Sequence, residues 1–183
     1  MMNPTHIGVG LVVAAPTLIL APEFVVPAAI GGMAGGVLPD LDLFVGRHRR
    51  TLHFPEAYWL AAIPLLALAA IRPTALTVAV AVAVVSMAVH SGMDWFGAGD
   101  ELEPWERTSS EAVYLHLRGR WLQPKYWVRY DGAAEDLAIT VVCSLAGLLF
   151  PAPIPTIAAI NVAVAVLYAL VRKRVPAVVD GQL

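Results

Sequence analysis

The chain is poor in most of what a soluble enzyme relies on. Of its 183 residues only 14% are charged, against about a quarter in ordinary soluble domains, and its mean hydropathy is +0.70. Its single cysteine, Cys143, sits in an apolar run. That excludes a disulfide framework and a thiolate metal cluster. The net charge of −2 shows neither the basic excess of a nucleic-acid binder nor an acidic tail. The opening Met1-Met2-Asn3-Pro4-Thr5-His6 lacks Lys and Arg, so it makes a poor signal peptide, and the first apolar segment is expected to remain in the membrane.

What the chain has is apolar length. It is 58% hydrophobic, with apolar stretches near 7–22, 24–38, 57–71, 74–94, 136–150 and 154–171. A spanning helix needs about 20 residues, and several stretches must borrow flanking residues or tilt. The expectation is an all-α, polytopic helical membrane protein with four to six transmembrane helices, forming a single membrane domain over residues 1–183. Pro22-Glu23, Arg72-Pro73 and Pro151-Ala152-Pro153-Ile154-Pro155 suit tight breaks between helices, because proline cannot continue one.

Charge sets the expected topology. With six spans, every Lys and Arg except Arg72 falls on one side, together with both termini. The positive-inside rule makes that side cytoplasmic and places the protein, multi-pass, in the cell membrane. The segment 95–135 is the one long polar stretch. It holds Trp95, Trp105, Trp121 and Trp127 with Tyr114, Tyr126 and Tyr130, which suits an interfacial layer, either a linker or a lid. Thr108-Ser109-Ser110-Glu111 has capping-box spacing and predicts a short helix to about Arg118.

The same topology brings His6, Asp40, Asp42, His48, His53, His90 and Asp94 to one membrane boundary, where ionisable groups are costly unless paired, hydrated or metal-bound. His90 and Asp94 are four apart on a helix and share a face, as a structural pair or as ligands. Asp40 and Asp42 follow Pro39. Two nearby carboxylates need a cation between them, supplied by a metal or by Arg47, Arg49 and Arg50. His53 opens the third apolar run, whereas His48 lies between arginines, solvated or facing phosphate.

Together, His6, Asp40, Asp42, His53, His90 and Asp94 form a candidate metal set. Mixed nitrogen and oxygen donors favour Zn²⁺ or Mn²⁺ over Mg²⁺ or Ca²⁺, and six donors suffice for one or two ions. Such a site suits hydrolysis, with Arg49 among the arginines that can orient an anionic group and His48 or an unligated Asp as general base. Glu135-Asp136 is read as a favourable charge at a helix N-terminus. The overlapping pairs Gly31/Gly35 and Gly32/Gly36 are read as close packing within the bundle.

Four short motifs resemble those of the YdjM-like family of membrane-bound metal-dependent hydrolases. They are Thr5-His6, the Gly-rich approach to Pro39-Asp40-Leu41-Asp42, the Arg-flanked His48 followed by His53, and His90 to Asp94. They cover about the first 95 residues. One departure is that Arg50 and Leu52 stand where the family pattern leads one to expect a small residue and a threonine. The resemblance implies a polytopic hydrolase with a metal site built from these residues.

The leading expectation is a membrane-bound hydrolase cleaving a phosphoester, soluble or lipid-linked, with a metal-activated water. A phosphohistidine lipid phosphatase would need a Pro-Ser-Gly-His stretch, which is absent. A non-catalytic metal-binding or metal-transporting protein is the alternative, but transport ligands should lie deep within spans, and the interiors of the apolar runs lack Asp, Glu and His.

The topology has a direct test. In a Cys143→Ser background, a cysteine at Thr74 is expected to react with an impermeant thiol reagent from outside the cell. One at Ser109 should react only after the membrane is opened. Labelling of both from the same side would overturn the assignment.

Overall fold

A computed structural model describes residues 1–179. The protein is a helical bundle carrying one small β-hairpin. Helices α1 (Asn3–Ala14) and α2 (Thr17–Leu20) form a first arm, interrupted at Pro16. Helix α3 (Val25–Val37) runs into a 3-10 segment, Leu38–Leu43. Helices α4 (Ala57–Ile71) and α5 (Ala75–Met93) follow, then α6 (Ala134–Ser144), α7 (Ile154–Val171) and the short α8 (Val175–Val179). Among the described residues, four helical stretches are long and apolar enough to cross a membrane: Asn3–Leu20, Pro22–Leu43, Ala75–Phe96 and Ile154–Val179. The fold is thus an all-α polytopic one, and Ala57–Ile71 is a shorter apolar helix.

The helix boundaries have local causes. Thr74 caps α5 by accepting from the Thr77 N–H, and the Thr77 hydroxyl accepts from the Thr74 N–H in return. This closes two of the N–H groups a helix start leaves open. Prolines occupy the first turns of α1 and α7, where a missing N–H costs nothing. Outward-facing leucines and isoleucines such as Ile19, Ile63, Leu148 and Leu170 are exposed, as a lipid-facing surface requires.

Inside, the bundle is built on small residues. Helix α3 lies between α1 and α5. A Cβ on Gly32 would stand 2.1 Å from the Gly10 carbonyl oxygen of α1, and one on Gly35 would stand 2.1 Å from the Ala83 oxygen of α5. The glycine pairs therefore pack within the bundle, in agreement with the sequence reading. Close backbone approach replaces the hydrophobic effect, which has little to offer between helices in lipid. Leu11, Ala14, Ala28, Ala29, Val78, Val82, Ile154 and Ala158 complete the core.

Polar links add specificity. The Ser86 hydroxyl donates to the Gly32 carbonyl at 2.8 Å, and Asn161 Nδ2 donates to the Pro4 carbonyl at 2.9 Å. Asp136, fully buried, accepts from the Met2 and Gly132 N–H groups at 2.8 and 2.9 Å and from the Thr5 hydroxyl at 2.7 Å. Its role is to tie α6 to α1. Glu135 pairs with Arg129 at 2.8 Å.

The segment 95–135 corrects one expectation. No helix forms at 108–118; instead β1 (Val113–Leu115) pairs antiparallel with β2 (Arg120–Leu122), Tyr114 opposite Trp121. Gly119 turns the hairpin with φ +60, a conformation that favours glycine. The expected cap is spent elsewhere: the N–H groups of Thr108 and Ser109 donate to the Glu101 carboxylate. β-Branched and aromatic residues in a short run favour the strand.

The glycine seam predicts opposite outcomes for two similar substitutions. Gly35→Ala is expected to destabilise the protein by about 2 kcal/mol or more, since neither backbone can yield. Gly92→Ala, where an added Cβ meets nothing within 4 Å, should stabilise it by up to about 1 kcal/mol. Thermal unfolding in detergent reads both. Equal melting temperatures for the two variants would sink the seam argument.

Candidate metal centre

The starts of α1 and α6 and the ends of α3 and α5 meet in one layer, and that convergence assembles the centre. His6 is one turn into α1. Asp40 and Asp42 lie on the 3-10 segment after α3, and the Pro39 ring ends the α-helix there. His90 is in the last turn of α5, and Asp94 follows it. His53 comes from the loop between Leu43 and Ala57.

One ligand atom from each of Asp40, His53, His90 and Asp94 lies within 4.8 Å of all the others. His53 Nε2 is 3.1 Å from Asp94 Oδ2, and His90 Nε2 is 3.2 Å from Asp40 Oδ1. His6 stacks on His90 with ring centroids 3.5 Å apart, and its Nε2 is 3.4 Å from Asp94 Oδ1. His6, His53, His90 and Asp94 are each 1% exposed or less. Such groups normally find hydrogen-bond partners, yet His6 Nε2, His53 Nε2 and Asp94 Oδ2 have none. His53 Nε2 and Asp94 Oδ2 face each other at 3.1 Å without a directed hydrogen bond, an arrangement that a cation between them would satisfy.

The outer partners orient this set. His90 Nδ1 donates to the Gly36 carbonyl at 2.8 Å, so Nε2, 3.2 Å from Asp40 Oδ1, is the nitrogen turned into the centre. His53 Nδ1 meets Asp42 Oδ2 at 2.9 Å, so Asp42 stands behind His53 on the opposite ring nitrogen. Carboxylates and carbonyls in that position fix the tautomer and raise ligand basicity. Asp42 also holds His48 Nδ1 at 2.8 Å and the Leu52 N–H at 3.1 Å. With His48 and His53 it forms a second group able to hold an ion.

Of the six residues expected to bind metal, the structure thus groups Asp40, His53, His90 and Asp94, stacks His6 beside them, and places Asp42 one layer out. The departure at Leu52 is harmless to His53, because position 52 contributes its backbone. Thr51 instead accepts from the Arg47 N–H at 2.8 Å and closes the preceding turn.

His48 and Arg49 lie next to this set. The His48 side chain is 21% exposed. Arg49 is buried, with a left-handed backbone at φ 57, held there by the Tyr114 N–H donating to its carbonyl at 3.0 Å. Its guanidinium donates to the carbonyl of Ala98. Asp40, His48 and Arg49 all line one cavity of about 520 Å³.

Two contributors had no signal in the sequence. Asn3 Nδ2 donates to Asp40 Oδ2 at 3.0 Å. His116 Nε2, on the hairpin, bonds the carbonyls of Arg50 and His53 at 2.8 and 3.1 Å and so holds the loop that presents His53. Asn3 opens α1 but carries no charge to mark it, His116 lies far along the polar segment, and only the folded chain brings them in.

Comparison with protein-family models, with curated proteins and with solved structures finds no match for this chain. Fold and site define the class by themselves: a helical membrane protein with a buried histidine–aspartate cluster able to hold a metal ion.

Burial alone would lower the pKa of His53, but Asp40, Asp42 and Asp94 outweigh it and push the ring up to about 10. Below that pH the metal-free ring is protonated and repels a cation, so binding must expel the proton. Affinity for Zn²⁺ is expected to rise by about tenfold per pH unit between about pH 7 and 9. Equilibrium dialysis in detergent measures it, and a flat profile would remove His53 from the ligand set. Asp94→Ala and His90→Ala should abolish binding, whereas Asp42→Ala should weaken it by about 10- to 100-fold.

Proposed function

We propose that the protein is a membrane-bound, metal-dependent hydrolase of the YdjM-like kind that cleaves a phosphoester at the cytoplasmic membrane surface. The observation carrying this reading is the placement of a buried His/Asp cluster directly beside a cavity whose wall includes His48 and Arg49. His6, Asp40, His53, His90 and Asp94 would hold the ion, Zn²⁺ or Mn²⁺, with one or two bound. When bound, such an ion supplies Lewis acidity to a phosphoryl oxygen and acidifies water.

The chain's own residues would do the rest. His48 donates through Nδ1 to Asp42, so its Nε2 is the nitrogen free to take a proton from the attacking water. An oriented histidine of this kind is suited to general base work. Arg49, its guanidinium fixed on the Ala98 carbonyl, brings an unyielding positive charge to an anionic phosphoryl group. The alternative, a non-catalytic metal carrier, is disfavoured because the cluster sits where helices end rather than along a path through their middles.

Purified full-length protein loaded with Zn²⁺ or Mn²⁺ is expected to hydrolyse p-nitrophenyl phosphate or a phospholipid. His48→Ala should lower kcat by about 10²- to 10⁴-fold while bound metal, read by mass spectrometry, is unchanged. Stoichiometric metal with no turnover of either substrate would favour the carrier.

A further inference from the structure

The cavity beside the centre carries a second polar cluster that none of these steps uses. Glu101, Asp131, Tyr168 and Arg172 line it. Arg172, at the end of α7, is 4% exposed. Its Nε donates to Asp131 Oδ2 at 2.6 Å and its Nη2 to the Leu102 carbonyl at 3.0 Å, while Nη1 has no partner. Tyr168 donates to the same Asp131 oxygen. Glu101 accepts from Thr108 and Ser109 through Oε2 alone, leaving Oε1 buried and unpartnered.

A salt bridge serving only to fasten α7 would leave neither a spare donor nor a spare acceptor, since both are costly when buried. Here Glu101 and Arg172, each with one unpartnered atom, both belong to the lining of the same cavity. A hydroxyl group can accept from a guanidinium and donate to a carboxylate at once. A bare phosphate would be repelled by Glu101 and Asp131. The same cavity is also lined by Leu43 and Val164, which are 61% and 49% exposed and belong to two of the span-length helical stretches. One side of the cavity therefore borders the lipid-facing surface.

We propose that this cavity binds the hydroxylated headgroup of a membrane lipid, with Glu101 and Arg172 reading its hydroxyls and Leu43 and Val164 covering the start of its acyl chains. The inference deepens the hydrolase reading: the lipid's phosphate would then lie toward Asp40, His48 and Arg49. Headgroup binding itself does not require cleavage.

The test is lipid retention by the metal-loaded full chain in detergent, counted by native mass spectrometry. The probes are phosphatidylglycerol, phosphatidic acid (phosphate without the polyol) and soluble glycerol phosphate. Phosphatidylglycerol is expected to be held at least about tenfold more tightly than either, the worth of one or two hydrogen bonds to charged groups. Glu101→Gln and Arg172→Lys should erase that preference. Val164→Trp, which obstructs the mouth without touching the polar cluster, should abolish retention even if the Arg172 variant fails to fold.

Equal retention of the two lipids, or retention unaffected by Glu101→Gln and Val164→Trp, overturns the proposal. Glycerol phosphate bound as tightly as the lipid overturns its membrane part. Lipid retained with the expected preference but never cleaved would leave this inference standing and remove the hydrolase. Cleavage of soluble phosphoesters without lipid preference would do the reverse.

Discussion

Helices α1 and α5 press so closely on the glycine faces of α3 that bundle and metal centre are built from the same backbone contacts. At Gly36 a Cβ would stand 2.4 Å from the His6 carbonyl oxygen, and the Gly36 carbonyl accepts from His90 Nδ1. One backbone position therefore sets both the spacing of α1 and the tautomer of His90. Any larger residue would push the helices apart and separate two imidazoles that now stack at 3.5 Å. The packing that makes a stable bundle in lipid and the packing that makes the centre are the same contacts.

That arrangement has a cost, which the outer partners offset only in part. Burying ionisable groups without compensation costs several kcal/mol each. Asn3 on Asp40, Asp42 behind His53 and the Gly36 carbonyl behind His90 satisfy the outward atoms. Asp94 Oδ1 accepts from the N-terminal ammonium at 3.0 Å, while Asp94 Oδ2, His53 Nε2 and both nitrogens of His6 stay unmatched. A bundle selected for stability alone would have no use for this asymmetry. It is the physical case for a bound cation, and it would hold with no kinship known.

Much of the architecture could be read along the chain. Helix α4 spans Ala57–Ile71, the very run that hydropathy marked, and the Pro and Pro-flanked breaks fall between helices as expected. The glycine pairs and the carboxylates after Pro39 were also visible, because each is a local pattern. The hairpin was misread, because the spacing of Thr108 and Glu111 imitates a cap while Glu101, seven residues before Thr108, takes the bonds. Asn3 and His116 carry no pattern at all. The cavity joins residues from the chain's start, middle and end, which no window can connect.

Where most of the apolar helices lie was legible along the chain, because hydropathy and proline act over a few neighbouring residues, but their number was left between four and six. The sequence also determined which ionisable residues lie at helix ends. Which of these face one another emerges on folding: His53 turns Nε2 toward Asp94 and Nδ1 toward Asp42, and Arg172 and Glu101 share a cavity with Asp40. Those relations depend on how closely three helices approach, and that distance is set by backbone contacts between residues far apart in the chain.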